Sequence, residues 1–180
     1  MVRYFWIVAA IALGLGTGLT AASAQNDPCF EATLETNGDR AIAVCTKFIE
    51  SGRLSGRELS RHLNNRGLGY MKNDDLDRAL ADFDEALNIT PNYAFAYDNR
   101  GDVWREKGQF DRAIADYNSA IRVDPTFTAA YYNRGFTYER MGNKESARAD
   151  YEALLRMPVT RAIDKWAHDQ ARRRLGTMGK

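Results

Sequence analysis

Hydrophobic and small residues recur at helical spacing from about residue 57 onward. They follow one another at intervals of four and then three, which places each set on one face of an α-helix. The first sets are Leu63, Gly67 and Tyr70; Tyr97, Gly101 and Trp104; and Tyr131, Gly135 and Tyr138. The second sets are Ala79, Phe83 and Ala86; Ala113, Tyr117 and Ala120; and Ala147 with Tyr151. The pattern predicts three pairs of amphipathic helices.

Polar residues and prolines separate these helices. Turn residues lie between the two helices of each pair, at 73–74, 108 and 142–143, and Pro91 and Pro125 close the first two pairs. Proline cannot continue a helix, so each closing proline ends a unit. The triplet Asn-Arg-Gly occurs at 65–67, 99–101 and 133–135, which gives a period of 34 residues. A repeat of this length predicts an all-α array of stacked helix pairs.

The pattern resembles the tetratricopeptide repeat (TPR), which has a large residue, a glycine and an aromatic on its first helix, then alanine, aromatic and alanine on its second, and a closing proline. Three copies match, at Ser60–Tyr93, Ala94–Phe127 and Thr128–Arg161, within a predicted repeat domain of residues 57–159. The third departs at its end, where Leu154 replaces a small residue and Pro158 arrives one place early. The resemblance implies an α-solenoid of antiparallel helix pairs, in which each pair buries its apolar face against its neighbours. The repeat glycines would let the two helices of a pair touch, while Phe83 and Tyr117 fill the space between them.

Atypical units are expected at both ends of the array. Residues 25–56 read as a degenerate N-terminal helical hairpin, because the segment 39–43 echoes 111–115. Its Cys29 and Cys45 enclose 17 residues, and a structural disulfide there would contribute about 3 kcal/mol. A catalytic thiol pair is the alternative, although such pairs use the closer C-x-x-C spacing. Residues 160–180 predict a capping helix and basic tail, with Thr160 as the N-cap of the helix and Gly176 as its stop.

The first 24 residues differ from the rest of the chain. Arg3 is their only charged residue, residues 4–22 are apolar or small, and Ala22-Ser23-Ala24 is an A-x-A site. This predicts a signal peptide, residues 1–24, cleaved after Ala24, and a periplasmic or secreted protein. An uncleaved membrane anchor is the alternative, and contact with a membrane is expected only in that case.

Neither the net charge nor the candidate catalytic and metal-binding residues indicate an enzyme. The formal net charge is +1, which gives no electrostatic basis for nucleic-acid binding. His62 and His168 lie in different units without a histidine one helical turn away, so no metal site is predicted. We expect neither a cofactor nor a small-molecule substrate. Asp82, like the neighbouring Asp84 and Glu85, is expected on a solvated outer stripe.

The family resemblance implies a non-catalytic protein-interaction module. In this family the first helices line a concave groove that holds a peptide or a protein segment, and the partner is expected to be of that kind. The predicted groove residues are Asn64, Asn65, Leu68, Phe95, Asp98, Asn99, Asp102, Tyr132, Asn133 and Phe136, with Arg61 and Lys72 beside them.

Two points about this groove stay open in the sequence. The triplet asparagines could bond a bound backbone or a neighbouring helix. The triplet arginines are expected to direct their guanidinium groups to carboxylates or to solvent.

The leading hypothesis is an exported adaptor, and the alternative is a membrane-tethered component of cell-envelope assembly. The basic run at 172–174 fits either the negative end of a helix dipole or an anionic partner.

Overall fold

The structure is a computed structural model that describes residues 27–178, so the predicted signal peptide lies outside the described residues. Within this range the regular secondary structure is entirely helical. The helices are α1 Pro28–Thr33, α2 Asp39–Glu50, α3 Gly56–Lys72, α4 Leu76–Ile89, α5 Ala94–Glu106, α6 Phe110–Val123, α7 Thr128–Arg140, α8 Lys144–Leu155 and α9 Ala162–Met178. They divide into two compact units, one ending at Thr90 and the other beginning at Pro91. The all-α class predicted from periodicity is confirmed.

The first unit contains α1 to α4. Helices α3 and α4 form a hairpin, α2 packs on α3, and the short α1 contacts both α2 and α3. The backbones of α2 and α3 come very close at Gly38, where a Cβ atom would lie 1.8 Å from the carbonyl oxygen of Gly69. The side chain of Asn73, in the α3–α4 turn, accepts a 2.9 Å hydrogen bond from the Gly38 amide. This contact fixes the start of α2 against the end of α3.

The second unit contains α5 to α9. Helices α5 and α6 form one hairpin, α7 and α8 form the next, and α6 packs on α7. Helix α9 packs on both α7 and α8. Its Ala167 and Ala171 join Leu154 of α8 in a cluster of fully buried side chains. The capping helix therefore covers the apolar face that the last hairpin would otherwise expose.

A glycine faces an aromatic ring at the same point of each hairpin. A Cβ atom on Gly67 would lie 2.7 Å from the Phe83 ring, and one on Gly101 would lie 2.7 Å from the Tyr117 ring. At the third position, a Cβ atom on Gly135 would lie 2.9 Å from the ring of Tyr151. These aromatic side chains are fully buried. The residue at the glycine position is therefore small because the ring occupies the space beside it.

The expectation of a solvated outer stripe is wrong for Asp82. It is 4% exposed, and Arg66 donates to both of its carboxylate oxygens, at 2.9 and 2.7 Å. Residue 82 lies one helical turn from both Ala79 and Ala86, at the edge of the buried face of α4, and its carboxylate meets the triplet arginine of α3. The two later repeats contain the same pair, Arg100 with Asp116 and Arg134 with Asp150.

The predicted ends of the capping helix are also corrected. Helix α9 begins at Ala162, so Arg161 and not Thr160 directly precedes it, and Asp164 accepts hydrogen bonds from the backbone amides of both residues. It continues through Gly176 to Met178. No left-handed backbone angle occurs at Gly176, so that glycine does not end the helix.

Candidate peptide-binding face

The first helices of the second unit carry a cluster of aromatic side chains. On α7, the rings of Tyr132 and Phe136 stack with centroids 6.2 Å apart, and Trp166 of α9 meets Tyr132 edge-on at 4.9 Å. On α5, Phe95 packs at 4.8 Å against Phe127, which precedes α7. Tyr132 is buried, whereas Phe95, Phe136 and Trp166 stay partly exposed. We call these three exposed rings, with Asn99, the α5/α7/α9 face.

A tyrosine of the second helix reaches a carboxylate of the first helix in both hairpins of this unit. Tyr117 donates its hydroxyl to Asp102 at 2.8 Å, and Arg105 pairs with the same carboxylate at 2.8 Å. In the next hairpin, Tyr151 donates to Glu139 at 3.0 Å. Arg174 of α9 pairs with that carboxylate at 3.3 Å. The equivalent position in the first unit is a phenylalanine, so this arrangement is absent there.

The two arginines of these networks lie beside the same ring. The guanidinium carbon of Arg105 is 5.5 Å from the centroid of Phe136, and that of Arg174 is 4.6 Å from it. Burial alone would lower the pKa of Arg105, but the neighbouring Asp102 raises it above its usual value. Both side chains therefore stay charged and are held in place by a carboxylate and an aromatic ring.

The predicted groove residue Asp98 is buried, and its surroundings favour the protonated form of its carboxyl group. Its side chain accepts a 3.1 Å hydrogen bond from the amide of Asn133. Burial and the nearby charge of Asp102 raise the pKa of Asp98 to about 8. The sequence left open whether the triplet asparagines bond a bound backbone or a neighbouring helix. Asn133 bonds a neighbouring helix, because it donates to Asp98 of α5. Asn99 is partly exposed and remains part of the α5/α7/α9 face.

In the first unit, the predicted groove residues are mostly engaged within the protein. Asn64 and Asn65 are buried, and Leu68 is partly buried. The guanidinium of Arg61 pairs with Asp27 at 3.2 Å. The ammonium of Lys72 donates to the backbone carbonyl groups of Thr33 and Glu35. Sequence reasoning missed these contacts because Asp27 gives no periodic signal.

A second cluster of functional groups lies around the disulfide of the N-terminal hairpin. Cys29 of α1 and Cys45 of α2 are joined at an S–S distance of 2.07 Å. Nε2 of His62, on α3, lies 3.5 Å from Oδ1 of Asp27. Burial alone would lower the pKa of His62, but its hydrogen bonds to Asp27 and to the Glu58 carbonyl raise it. The ring nitrogens of the other histidine, His168, lie 2.8 and 3.1 Å from the backbone carbonyl oxygens of residues 164 and 157.

No helix within residues 27–178 combines the length and the apolar character that a membrane span requires.

Comparisons with known proteins agree on one family. Sequence profiles described as tetratricopeptide repeat match residues 63–93 and 128–158, and a TPR repeat profile matches residues 101–142. No curated protein sequence matches the chain significantly.

Several solved structures are similar. The crystal structure of MamA is 26% identical with a TM-score of 0.57, and the match covers 64% of this chain and 66% of that one, slightly less than two thirds of MamA. A tetratricopeptide repeat protein from Parabacteroides merdae is 19% identical with a TM-score of 0.62, covering 83% and 58%. The second TPR of Spaghetti, solved with the HSP90 peptide SRMEEVD, is 20% identical with a TM-score of 0.54, covering 62% and 99%.

Proposed function

Because this chain belongs to the tetratricopeptide repeat family, we propose that it is an exported, non-catalytic adaptor that binds a peptide or protein segment on its α5/α7/α9 face. The observation that carries this proposal is the set of partly exposed rings: Phe95 and Phe136 on the first helices α5 and α7, and Trp166 on the capping helix α9. Aromatic side chains provide large contact areas at low entropic cost and dominate many protein interfaces. The related repeat of Spaghetti, solved with an HSP90 peptide, supports a segment as the kind of partner.

The polar groups around these rings favour a partner that binds through close packing against the rings and not through an opposite net charge. The charges of Arg105 and Arg174 are matched by Asp102 and Glu139, and burial raises the pKa of Asp98 to about 8, which favours its neutral form. A nearly neutral face gives little long-range steering, so complementarity at the rings decides which segment binds.

Capture by the purified protein tests this function. Phe95→Ala combined with Asn99→Ala removes one ring and one amide from the face, and we expect the partner enriched from a cell-envelope fraction to be lost. Met141→Ala is the matched control, because Met141 is a large apolar residue that is 45% exposed outside the face. If the double variant captures the same proteins with unchanged affinity while its melting temperature is that of the parent, the face is not the binding site.

Export is tested separately by sequencing the N-terminus of the protein purified from its native cells. Cleavage after Ala24 gives a mature chain that starts at Gln25, as expected for a signal peptide with an A-x-A site. A chain that keeps Met1 supports the membrane-tethered envelope component instead.

A further inference from the structure

We propose that Cys29, Cys45, His62 and Asp27 form a zinc site when the two cysteines are in the thiol form. The N-terminal hairpin would then be held either by a disulfide or by a metal ion. This inference concerns the first unit and does not depend on the proposed binding face.

All four side chains converge in one buried place. Cys29 and Cys45 are fully buried, His62 is 6% exposed and Asp27 is 8% exposed. The possible ligand atoms of Asp27, Cys29 and His62 lie within 4.8 Å of one another, and the sulfur of Cys45 is bonded to that of Cys29. Ligands around tetrahedral zinc, at bond lengths of about 2.0–2.3 Å, lie roughly 3.3–3.8 Å apart. The ligand atoms of Asp27, Cys29 and His62 are thus within about 1 Å of tetrahedral spacing, and opening the S–S bond frees the two sulfurs to move apart.

Hydrogen bonds already orient the histidine for this role. Nδ1 of His62 lies 3.0 Å from the carbonyl oxygen of Glu58. When Nδ1 donates to that carbonyl, the unprotonated Nε2 points toward Asp27 and the cysteines. Histidine ligands of metals commonly donate their second ring nitrogen to a backbone carbonyl, which fixes the tautomer and the ring orientation.

The carboxylate of Asp27 is likewise oriented by hydrogen bonds from groups that are not themselves proposed ligand atoms. Oδ1 of Asp27 accepts a 2.9 Å hydrogen bond from the Cys29 amide, and Oδ2 accepts one from Arg61 at 3.2 Å. These contacts keep the carboxylate in place beside His62 in the absence of a metal. The four groups come from the start of α1, from α2 and from α3, so a bound ion would tie these segments together.

The donor set selects zinc and a structural role. Two thiolates with one imidazole and one carboxylate suit tetrahedral zinc, and four protein ligands leave no open position for a substrate. Loading requires reduction of the S–S bond, for example by a dithiol, which gives two electrons and two protons to the bond and becomes a disulfide itself. The two new thiols then lose their protons as their sulfurs bind the ion. Oxidation by a disulfide donor reverses the exchange and releases the metal.

Cobalt substitution tests the site on the unaltered chain. The purified protein is reduced with a phosphine, freed of metal with a chelator and titrated with Co²⁺ and then Zn²⁺ under nitrogen. We expect one Co²⁺ per chain, with thiolate-to-metal charge-transfer absorption and the visible bands of tetrahedral cobalt, all displaced by Zn²⁺. The oxidised protein is the control and should show none of these bands. A reduced chain without a thiolate–cobalt band overturns the proposal.

Variants then identify the ligands beside the two sulfurs. His62→Gln and Asp27→Asn should each weaken Zn²⁺ binding at least about 10-fold, whereas His168→Gln, at the buried histidine of the second unit, should not. X-ray absorption of the zinc-loaded parent gives the same information without a variant, with two sulfur and two nitrogen or oxygen neighbours expected. Four sulfur or four oxygen neighbours, or unchanged affinity in a folded His62→Gln chain, would exclude this ligand set.

Discussion

At the scale of single residues, the closest approach within each hairpin depends on the absence of one methyl group. In Gly101→Ala the new Cβ atom would lie 2.7 Å from the ring of Tyr117, which is fully buried and cannot move away freely. We expect the variant to lose about 1–3 kcal/mol of unfolding free energy, as overpacked cores do. Chemical denaturation followed by circular dichroism measures the loss.

Gly176→Ala is the matched control, because nothing lies within 4 Å of its Cβ position in α9. Alanine is the better helix former, so this variant should be neutral or more stable by up to about 1 kcal/mol. Equal losses at Gly101 and Gly176 would mean that the ring contact does not determine the residue at the repeat position.

The buried carboxyl group of Asp98 predicts an unusual pH dependence. Its pKa is about 8 in the folded chain and about 4 in an unfolded one. Between these values the folded state keeps a proton that the unfolded state releases, so the unfolding free energy contributed by this group falls as pH rises. Asp98→Asn removes the effect, since an amide oxygen can still accept from Asn133.

We therefore expect Asp98→Asn to become progressively more stable than the parent as pH rises from about 4 to 8. Melting temperatures across this range measure the difference. The same substitution at the exposed Asp111 is measured alongside as the control for losing a carboxyl group at the surface. An offset at Asp98 that does not change with pH would show that this carboxyl group is ionised in the folded protein.

How far the sequence predicts individual residues depends on whether their role repeats. Gly67 and Phe83 were predicted as a packing pair because the same types return at the same register. Asp82 repeats equally well, at 116 and 150, yet its charge suggested solvent, and only the facing arginine explains its burial. The pairing of Asp27 with His62 has no repeated counterpart, so no periodic signal could indicate it.

At the scale of helices, the triplet arginine ties the two helices of a hairpin together. Arg134 of α7 donates through Nε, at 2.8 Å, and through Nη2 to Asp150 of α8, and its third nitrogen donates to Asn118 of α6. Removing one partner of a fully buried ion pair costs about 3–5 kcal/mol. The cost should be smaller here, because the Arg134 side chain remains 19% exposed.

A double-mutant cycle with Arg134→Met and Asp150→Leu measures this pair. We expect each single variant to be destabilised and the double variant to lose clearly less than the two combined, because neither charge is then left alone. The pair of Arg172 and Asp169 on α9, with side chains 65% and 47% exposed, is the control, and its coupling should be much weaker. Additive losses for Arg134 and Asp150 would mean that the pair contributes no specific attraction.

The sequence located helices well and their ends less well. Periodicity identified the repeat helices because each buries one face against its neighbours, but residue type placed the N-cap of α9 at Thr160, one residue early. Thr160 is a good cap by residue type, yet its backbone amide and its hydroxyl both donate hydrogen bonds to the Asp164 carboxylate. A cap is chosen by competition among nearby oxygen atoms, which the sequence does not resolve.

At the scale of the whole molecule, a repeat protein is stabilised mainly by contacts between neighbouring elements, so perturbing one end should have a local effect. Helix α1 contacts only α2 and α3 among the described helices, and the Cys29–Cys45 bond joins it to α2. Reducing this bond, which closes a loop of 17 residues, should lower the free energy of unfolding by about 3 kcal/mol.

With a chelator present to exclude metal, we expect reduction to increase amide hydrogen exchange in α1 and α2 and to leave α7, α8 and α9 unchanged. Mass spectrometry of peptic fragments measures both regions in one sample. Increased exchange throughout α7–α9 would show that the chain opens as one cooperative body and that the disulfide acts on all of it.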